Sequence, residues 1–335
     1  MKKAIISLFA TLFTLSTLGA IGAYWGYNTL LAYGEQPVNL TASQELNIKR
    51  GTSFNQFIAN LESEQLIDDG WKLKWLVRLK PELANIRSGL YEVEPTDTLN
   101  SLLDKVISGK EKSFGVTLLE GQTVKEWRQE LVQQQRLTQQ DDVFKQVLIA
   151  NGDESGLPEG KFFPDTYHYR AGSSDKALLN KSYLKMQLEL DKAWQGRQKD
   201  LPLKSAYELL ILASIIEKET GKASERPWIA AVFVNRLRKG MRLQTDPTVI
   251  YGMGDNYKGN ITRKDLRETT AFNTYRINGL PPTPIAAPSL AAIQAAAHPA
   301  DVNYIYFVSR NDGSHVFSRT LNEHNRAVNK YQRNR

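Results

Sequence analysis

The stretch Ser205-Ala206-Tyr207-Glu208-Leu209-Leu210-Ile211-Leu212-Ala213-Ser214-Ile215-Ile216-Glu217-Lys218-Glu219-Thr220-Gly221 decides how the larger part of this chain is read. Ser205, followed three residues later by Glu208, has the spacing of a capping box, in which hydroxyl and carboxyl satisfy the first free N–H groups of a helix. Gly221 supplies a matching stop. At about 100° per residue, Ala206, Leu209, Leu210, Ala213 and Ile216 form one apolar arc, and Glu217 falls inside it. The spacing predicts a core-facing helix with one acidic residue on its buried side.

The neighbouring acids have structural explanations. Glu208 caps, Glu219 lies off the centre of the apolar face, and Glu225 opens the next helix, where the dipole favours an acid. Glu217 has no such explanation. A carboxyl among aliphatic side chains is costly to ionise and should hold its proton near neutrality, which is what a general acid for glycosidic cleavage requires. A second reading stands beside it: a buried Glu paired for structure with a cation, for which Arg236 and Arg242 are the candidates.

Outward from this helix, Gly279 to Pro288 carries Pro281, Pro282, Pro284 and Pro288 and must be mostly extended loop. Tyr304 to Ser309 reads as a strand, Asn311-Asp312-Gly313 as a turn and His315 to Ser318 as the partner strand, with a final amphipathic helix starting near Thr320. Upstream, Gly152 to Gly160 is a loop, and Gln133 to Gln140 a solvated helix face or hinge. From Val38 to Lys112 short apolar strands alternate with capped amphipathic helices. Ser53 precedes Phe54, Phe57, Ile58, Leu61 and Leu66, Thr98 precedes Leu99, Leu102, Leu103 and Val106, and Thr123 precedes Val124, Trp127 and Leu131. Strand, capped turn and helix used repeatedly resemble LysM-type wall-binding folds. A spacer without a ligand fits the same pattern.

The N-terminus is an address. Lys2 and Lys3 precede an uncharged run from Ala4 to Gly34, longer than the about 20 residues that a membrane-crossing helix needs. Tyr24, Trp25 and Tyr27 near its end resemble an interfacial aromatic belt, so the run is read as an uncleaved anchor, although small Ala20 and Gly22 would suit a signal peptidase. The next positive residues are Lys49 and Arg50, so the positive-inside rule keeps the N-terminus cytoplasmic and sends the rest outward.

Composition sets outer limits. Charged residues make up 24% and hydrophobic ones 41%, the balance of a globular chain. A net charge of +7 mildly favours anionic partners, and an outward-facing chain disfavours nucleic acid among them. The absence of cysteine excludes disulfides, thiolate nucleophiles, Cys-based metal sites and a lipoprotein anchor. The four histidines, His168, His298, His315 and His324, show no His-Glu-x-x-His spacing, and no cofactor or metal is expected.

Leu212-Ala213-Ser214-Ile215-Ile216-Glu217-Lys218-Glu219-Thr220, Val234-Asn235-Arg236-Leu237 and Met241-Arg242-Leu243-Gln244-Thr245-Asp246-Pro247-Thr248-Val249-Ile250-Tyr251-Gly252 resemble the central motifs of the MltG, or YceG-like, endolytic transglycosylases. Phe163-Pro164-Asp165-Thr166-Tyr167, Phe272-Asn273-Thr274-Tyr275, Gly279-Leu280-Pro281-Pro282 and Ala295-Ala296-Ala297-His298-Pro299 fit the same family. The resemblance is specific in the second half and weaker before Leu119. It implies that Glu217 protonates the oxygen between N-acetylmuramic acid and N-acetylglucosamine in peptidoglycan. The carboxylate then takes the proton of the muramyl C6 hydroxyl as that group closes a 1,6-anhydro ring. Because the nucleophile belongs to the substrate, no second carboxylate is needed. Gln244, Asp246, Tyr251, Asn273 and Tyr275 are candidate sugar-binding groups; for each tyrosine core packing is an equally good account.

The expected architecture is α+β: an anchor over residues 1–34, a LysM-like module over 35–118, a connecting helical segment over 119–159 and a mainly helical catalytic domain with a β-hairpin over 160–335. The expected placement is a single pass through the inner membrane with the catalytic part periplasmic, terminating nascent strands beside the synthases that make them. Two other readings stay open, a non-catalytic wall-binding scaffold and a water-using muramidase with Asp246 as second carboxylate.

Overall fold

The computed structural model describes residues 2–333. It is a mixed α+β structure dominated by helices, and the chain divides into two units, one running to Phe114 and one starting at Gly115.

The first unit opens with α1 (Lys2–Gly34), whose stretch Ile5–Gly34 is long and apolar enough to cross a bilayer. Its last turns belong to the core of the unit, where Leu30 and Leu31 pack and Tyr33 is buried. There follow β1 (Gln44–Ile48), α2 (Phe54–Ser63), α3 (Gly70–Leu79), β2 (Gly89–Val93) and α4 (Leu99–Ser108). β1 and β2 pair antiparallel, from Gln44 opposite Val93 to Ile48 opposite Gly89. Leu46, Ile48, Tyr91 and Val93 reach inward from this ribbon to meet Phe57, Ile58 and Leu61 of α2, Leu73 and Leu76 of α3, and Leu102, Leu103 and Val106 of α4. A two-stranded ribbon is unstable alone, so these three helix faces hold it.

The hydroxyl caps lie where the sequence puts them. Ser53 accepts from the Gln56 N–H and Thr98 from the Ser101 N–H. The first helix is shorter than its apolar pattern predicts. α2 ends at Ser63, and Gln65 turns the chain in the left-handed region at φ 57°, so Leu66 enters the core from a turn and not from the helix.

In the second unit, Thr117 of β3 (Ser113–Leu118) meets Thr166 of β4 (Asp165–Arg170), the two hydroxyl oxygens 2.9 Å apart. Helices α5 (Val124–Val132) and α6 (Val143–Ala150) lie between these strands, and α7 (Asp175–Gly196), α8 (Ala206–Glu219), α9 (Arg226–Arg238), α10 (Asp246–Met253) and α11 (Leu290–Ala297) follow β4. The chain then forms β5 (Tyr306–Ser309) and β6 (His315–Ser318), paired antiparallel, and α12 (Leu321–Val328). Thr123 and Glu126 form a complete capping box at the start of α5.

α8 is the centre of this unit, packed by α7, α9, α10 and α11. Every residue from Leu209 to Ile216 is buried, so the single apolar arc drawn from its sequence is a correction to make: the helix is enclosed on all sides. Each buried Leu or Ile contributes about 1.5–3 kcal/mol, which fixes α8 far more firmly than a surface helix. Its ends also differ from expectation. Ser205 accepts from the Glu208 N–H, but the Glu208 carboxylate reaches the Lys204 N–H. The helix stops at Thr220 in extended conformation, one residue before Gly221.

The proline-rich segment has no helix or strand but bends repeatedly, and Thr283 to Pro288 is buried beside α8 and not a surface loop. Proline explains this economy, since each one removes an N–H that would need a partner inside the protein. Of the amides left, Ile285 donates to Ser214 Oγ at 3.0 Å and Ala287 to the Gln122 carbonyl at 2.8 Å. Ser214 in turn donates to the Ile211 carbonyl, so it acts as a tie between α8 and this segment.

Candidate active site

Glu217 sits at the last turn of α8 with a side chain only 5% exposed. It is not surrounded by aliphatic groups alone. Oε2 accepts from the Ser289 backbone N–H at 2.9 Å and from the Ser289 hydroxyl, and Oε1 faces Nη2 of Arg226 at 3.5 Å. Ser289 is also the N-cap of α11, accepting from the Ala292 N–H, so the carboxyl lies at the positive end of that helix. The partners named from sequence are engaged elsewhere. Arg236 donates to the carbonyls of Ile305 and Leu243, and Arg242 to the carbonyl of Tyr275.

The Arg226 contact is a single one at the outer edge of hydrogen-bonding distance, not a bidentate fork. Its Nε is buried without a partner among the described residues. On the other side of Glu217, Gly121 adopts φ 72°, a conformation that favours glycine, and its carbonyl accepts from Lys218 at 3.0 Å. Its N–H bonds the Ala287 carbonyl at 2.8 Å, which ties the wall of the site to the proline-rich segment.

Burial raises two carboxyls of this unit that the sequence does not single out, Glu159 and Glu219. Burial pushes Glu159 up to about 7, although it accepts from the Val124 N–H at 3.0 Å and from the Tyr251 hydroxyl at 3.1 Å. Burial likewise pushes Glu219 up to about 7, opposed by a hydrogen bond from the Thr245 hydroxyl and reinforced by the charge of Asp246. Two residues on a helix differ by about 200°, so Glu217 and Glu219 leave α8 on opposite sides. The one faces Ser289 and Arg226, and the other faces the start of α10.

The candidate sugar-binding residues distribute over these surroundings. Gln244 is exposed at φ 51°, its N–H held by the Thr274 carbonyl at 3.2 Å, so a left-handed backbone presents its amide outward. Asp246 is exposed at the first turn of α10 and accepts from the Tyr275 hydroxyl at 2.6 Å. Tyr251 is half-buried, edge-on to Phe272 at 5.0 Å and bonded to Glu159. Asn273 is 1% exposed and spends its amide donors on the carbonyls of Asp265, Leu266 and Glu268. As placed, Asn273 orders its own loop.

Tyr275→Phe is expected to free the Asp246 carboxylate with little disturbance. One hydrogen bond is worth about 1 kcal/mol, so if Asp246 binds substrate kcat/KM should fall about fivefold. A drop of several hundredfold would make the hydroxyl itself part of the chemistry.

A family model described as the YceG-like family matches residues 46–330. The chain belongs to the YceG-like family. An endolytic murein transglycosylase from Bacillus subtilis (strain 168) is 29% identical over 334 residues, 92% of this chain and 90% of that protein. A protein of the same name from Streptococcus pneumoniae serotype 2 (strain D39) is 26% identical over 365 residues, and this match takes in 98% of the chain but 65% of the longer relative. The crystal structure of a yceG-like protein from Listeria monocytogenes superposes with a TM-score of 0.56 at 28% identity, covering 85% of this chain and 99% of that one. The fold of this YceG-like chain is thus one already seen in a solved relative.

Proposed function

We propose that this YceG-like protein is an endolytic murein transglycosylase with Glu217 as the proton-transferring group. The observation that carries the residue assignment is a carboxyl 5% exposed, fixed by Ser289 at a helix N-terminus and facing a guanidinium with an unpartnered buried nitrogen. Support for the activity comes from the family match and from relatives of that name. Glu217 gives its proton to the bridging oxygen, and the C–O bond to the muramyl anomeric carbon breaks. The carboxylate so formed accepts the C6 hydroxyl proton as that oxygen closes the anhydro ring. The donors of Ser289 and Arg226 stabilise the carboxylate between the two transfers.

Gln244 and Asp246 are assigned to sugar contacts because both are exposed beside α8, and Tyr251 and Tyr275 to holding Glu159 and Asp246 in place. The domain reading follows the same line. Residues 1–34 anchor the chain with the N-terminus cytoplasmic and the catalytic part periplasmic, 35–118 form a LysM-like wall-binding module, 119–159 connect, and 160–335 catalyse. The order β1-α2-α3-β2 with β1 and β2 paired supports a LysM-like module. An anchored cutter works on nascent strands close to the bilayer, and the membrane-bound synthases are its natural partners.

One observation favours a second reading. Glu219 is the carboxyl of α8 pushed up to about 7, so it is half-protonated near neutrality and could serve as the acid. Digestion of purified sacculi by wild type, Glu217→Gln and Glu219→Gln separates the readings. Release of muropeptides lost in Glu217→Gln and retained in Glu219→Gln supports the assignment. The reverse pattern moves the chemistry to Glu219, and no release from any of the three leaves a wall-binding scaffold.

A further inference from the structure

The surface of α3 does not fit a water-exposed helix. Trp71, Trp75 and Leu79 recur every fourth residue and are 57%, 50% and 46% exposed, while Leu73 and Leu76 on the opposite side fill the core. Lys74 and Arg78 flank this apolar stripe on one side and Lys72 on the other, with Lys80 just beyond the helix. From Gly70 to Pro81 there is no acidic residue, and Asp69 at the N-cap pairs with Lys72. An apolar stripe centred on tryptophan and bordered by cations is the pattern of a helix lying in a membrane interface.

The position of α3 relative to α1 says which interface. Trp71 and Trp75 line one groove of about 660 Å³ with Gly22, Trp25 and Gly26 of α1. The two glycines leave the groove open, and no side chain of the first unit fills it. A span beginning at Ile5 and using about 20 residues ends near Trp25, so Trp71 and Trp75 stand at the depth where α1 leaves the hydrocarbon. The last turns of α1 are built into the core of the unit, so this height is fixed by packing and not by a loose tether.

We infer that α3 lies in the outer-leaflet interface of the bilayer crossed by α1, with Trp71, Trp75 and Leu79 among the lipid headgroups and glycerol backbones and Lys74, Arg78 and Lys80 on lipid phosphates, Lys72 being paired with Asp69. This rests on α1 spanning the membrane. The first unit is then held against the bilayer by two elements, which sets its height and tilt and confines it to the membrane-proximal layer of the wall. Aromatic rings suit that layer because their bodies are apolar and their N–H groups find partners there. Arg78 already stacks over Trp75 at 4.5 Å and Lys72 lies 5.7 Å from the Trp71 ring, so charge and ring can enter the headgroup layer together.

The chain has no cysteine, so single-cysteine variants take a label cleanly. The full-length protein is reconstituted in vesicles of phosphatidylethanolamine and phosphatidylglycerol with a fluorescent label at Leu79→Cys, at Phe13→Cys within the anchor, or at Leu188→Cys on the exposed face of α7. Lipids carrying a nitroxide near the headgroup or near the bilayer centre are added as quenchers. The expected result is several-fold stronger quenching at 79 by the shallow probe than by the deep one, the opposite preference at 13, and little of either at 188. Quenching at 79 no greater than at 188, with 13 still quenched, overturns the inference and leaves the anchor intact. A blue-shifted but unquenched label at 79 also overturns it, by assigning the stripe to a second copy or a protein partner. No quenching at 13 removes the span and the inference with it.

Discussion

Glu217→Gln is expected to reduce the rate of glycan cleavage about 10²–10⁴-fold, the usual contribution of a positioned general acid and base. The substitution keeps the size of the side chain and an oxygen to accept from the Ser289 N–H at its 2.9 Å contact. It removes only the proton that leaves and returns. Because the carboxyl is enclosed by α8, Ser289 and Arg226 and does not support the core, the variant should fold normally. The loss should appear in kcat with little change in KM, since Glu217 acts on the bridging oxygen and not on the sugar's binding groups. Circular dichroism and a melting curve beside the rate measurement check the fold. A variant that cleaves within tenfold of wild type would mean that Glu217 is a structural acid after all.

Glu219→Gln is expected to do something different, and the sign follows from burial. In the unfolded chain this group ionises near its ordinary value of 4.5, whereas in the fold burial holds it to about 7. Between those values the unfolded state binds fewer protons than the folded one, so rising pH takes stability away, and the loss is complete above the folded value. The gap corresponds to a penalty on the order of 3 kcal/mol above neutrality. Glutamine keeps an oxygen for the Thr245 hydroxyl and cannot ionise beside Asp246. The variant should therefore melt higher than wild type at pH 8 and equally at pH 4, with a flatter profile between. Glycan cleavage should persist, with the alkaline side of its pH profile altered. Destabilisation at pH 8 would show that the buried carboxylate is needed in charged form, as a partner for Arg236.

Local chemistry was legible in the sequence, and distant packing was not. Ser53, Thr98, Thr123 and Thr320 cap helices because a hydroxyl before an apolar run acts within three residues of itself. Glu217 was singled out by a wheel that assumed α8 exposed one face. That assumption hid Glu219, since α7, α9, α10 and α11 close around the helix and bury both directions. Ser289 and Arg226 reach Glu217 from 72 and 9 residues away, separations at which no periodicity speaks. Ser289 left one trace, a serine after proline at the head of Leu290-Ala291-Ala292-Ile293, which marks an N-cap but not what else it touches. Asn273 shows the converse case. Its residue type suits an amide that greets N-acetyl groups, yet three carbonyls of its own loop consume it.

The attacking oxygen comes from the substrate's own ring and not from water. Digestion in water enriched in heavy oxygen, followed by mass spectrometry of the new glycan ends, measures this directly. The expected products are muramyl ends one water lighter than a reducing sugar and free of label, because the C6 hydroxyl of the same ring has closed onto the anomeric carbon. Muramyl ends carrying the heavy oxygen and open to borohydride reduction would contradict it. They would show that water attacks, and that a second carboxylate such as Asp246 works beside Glu217.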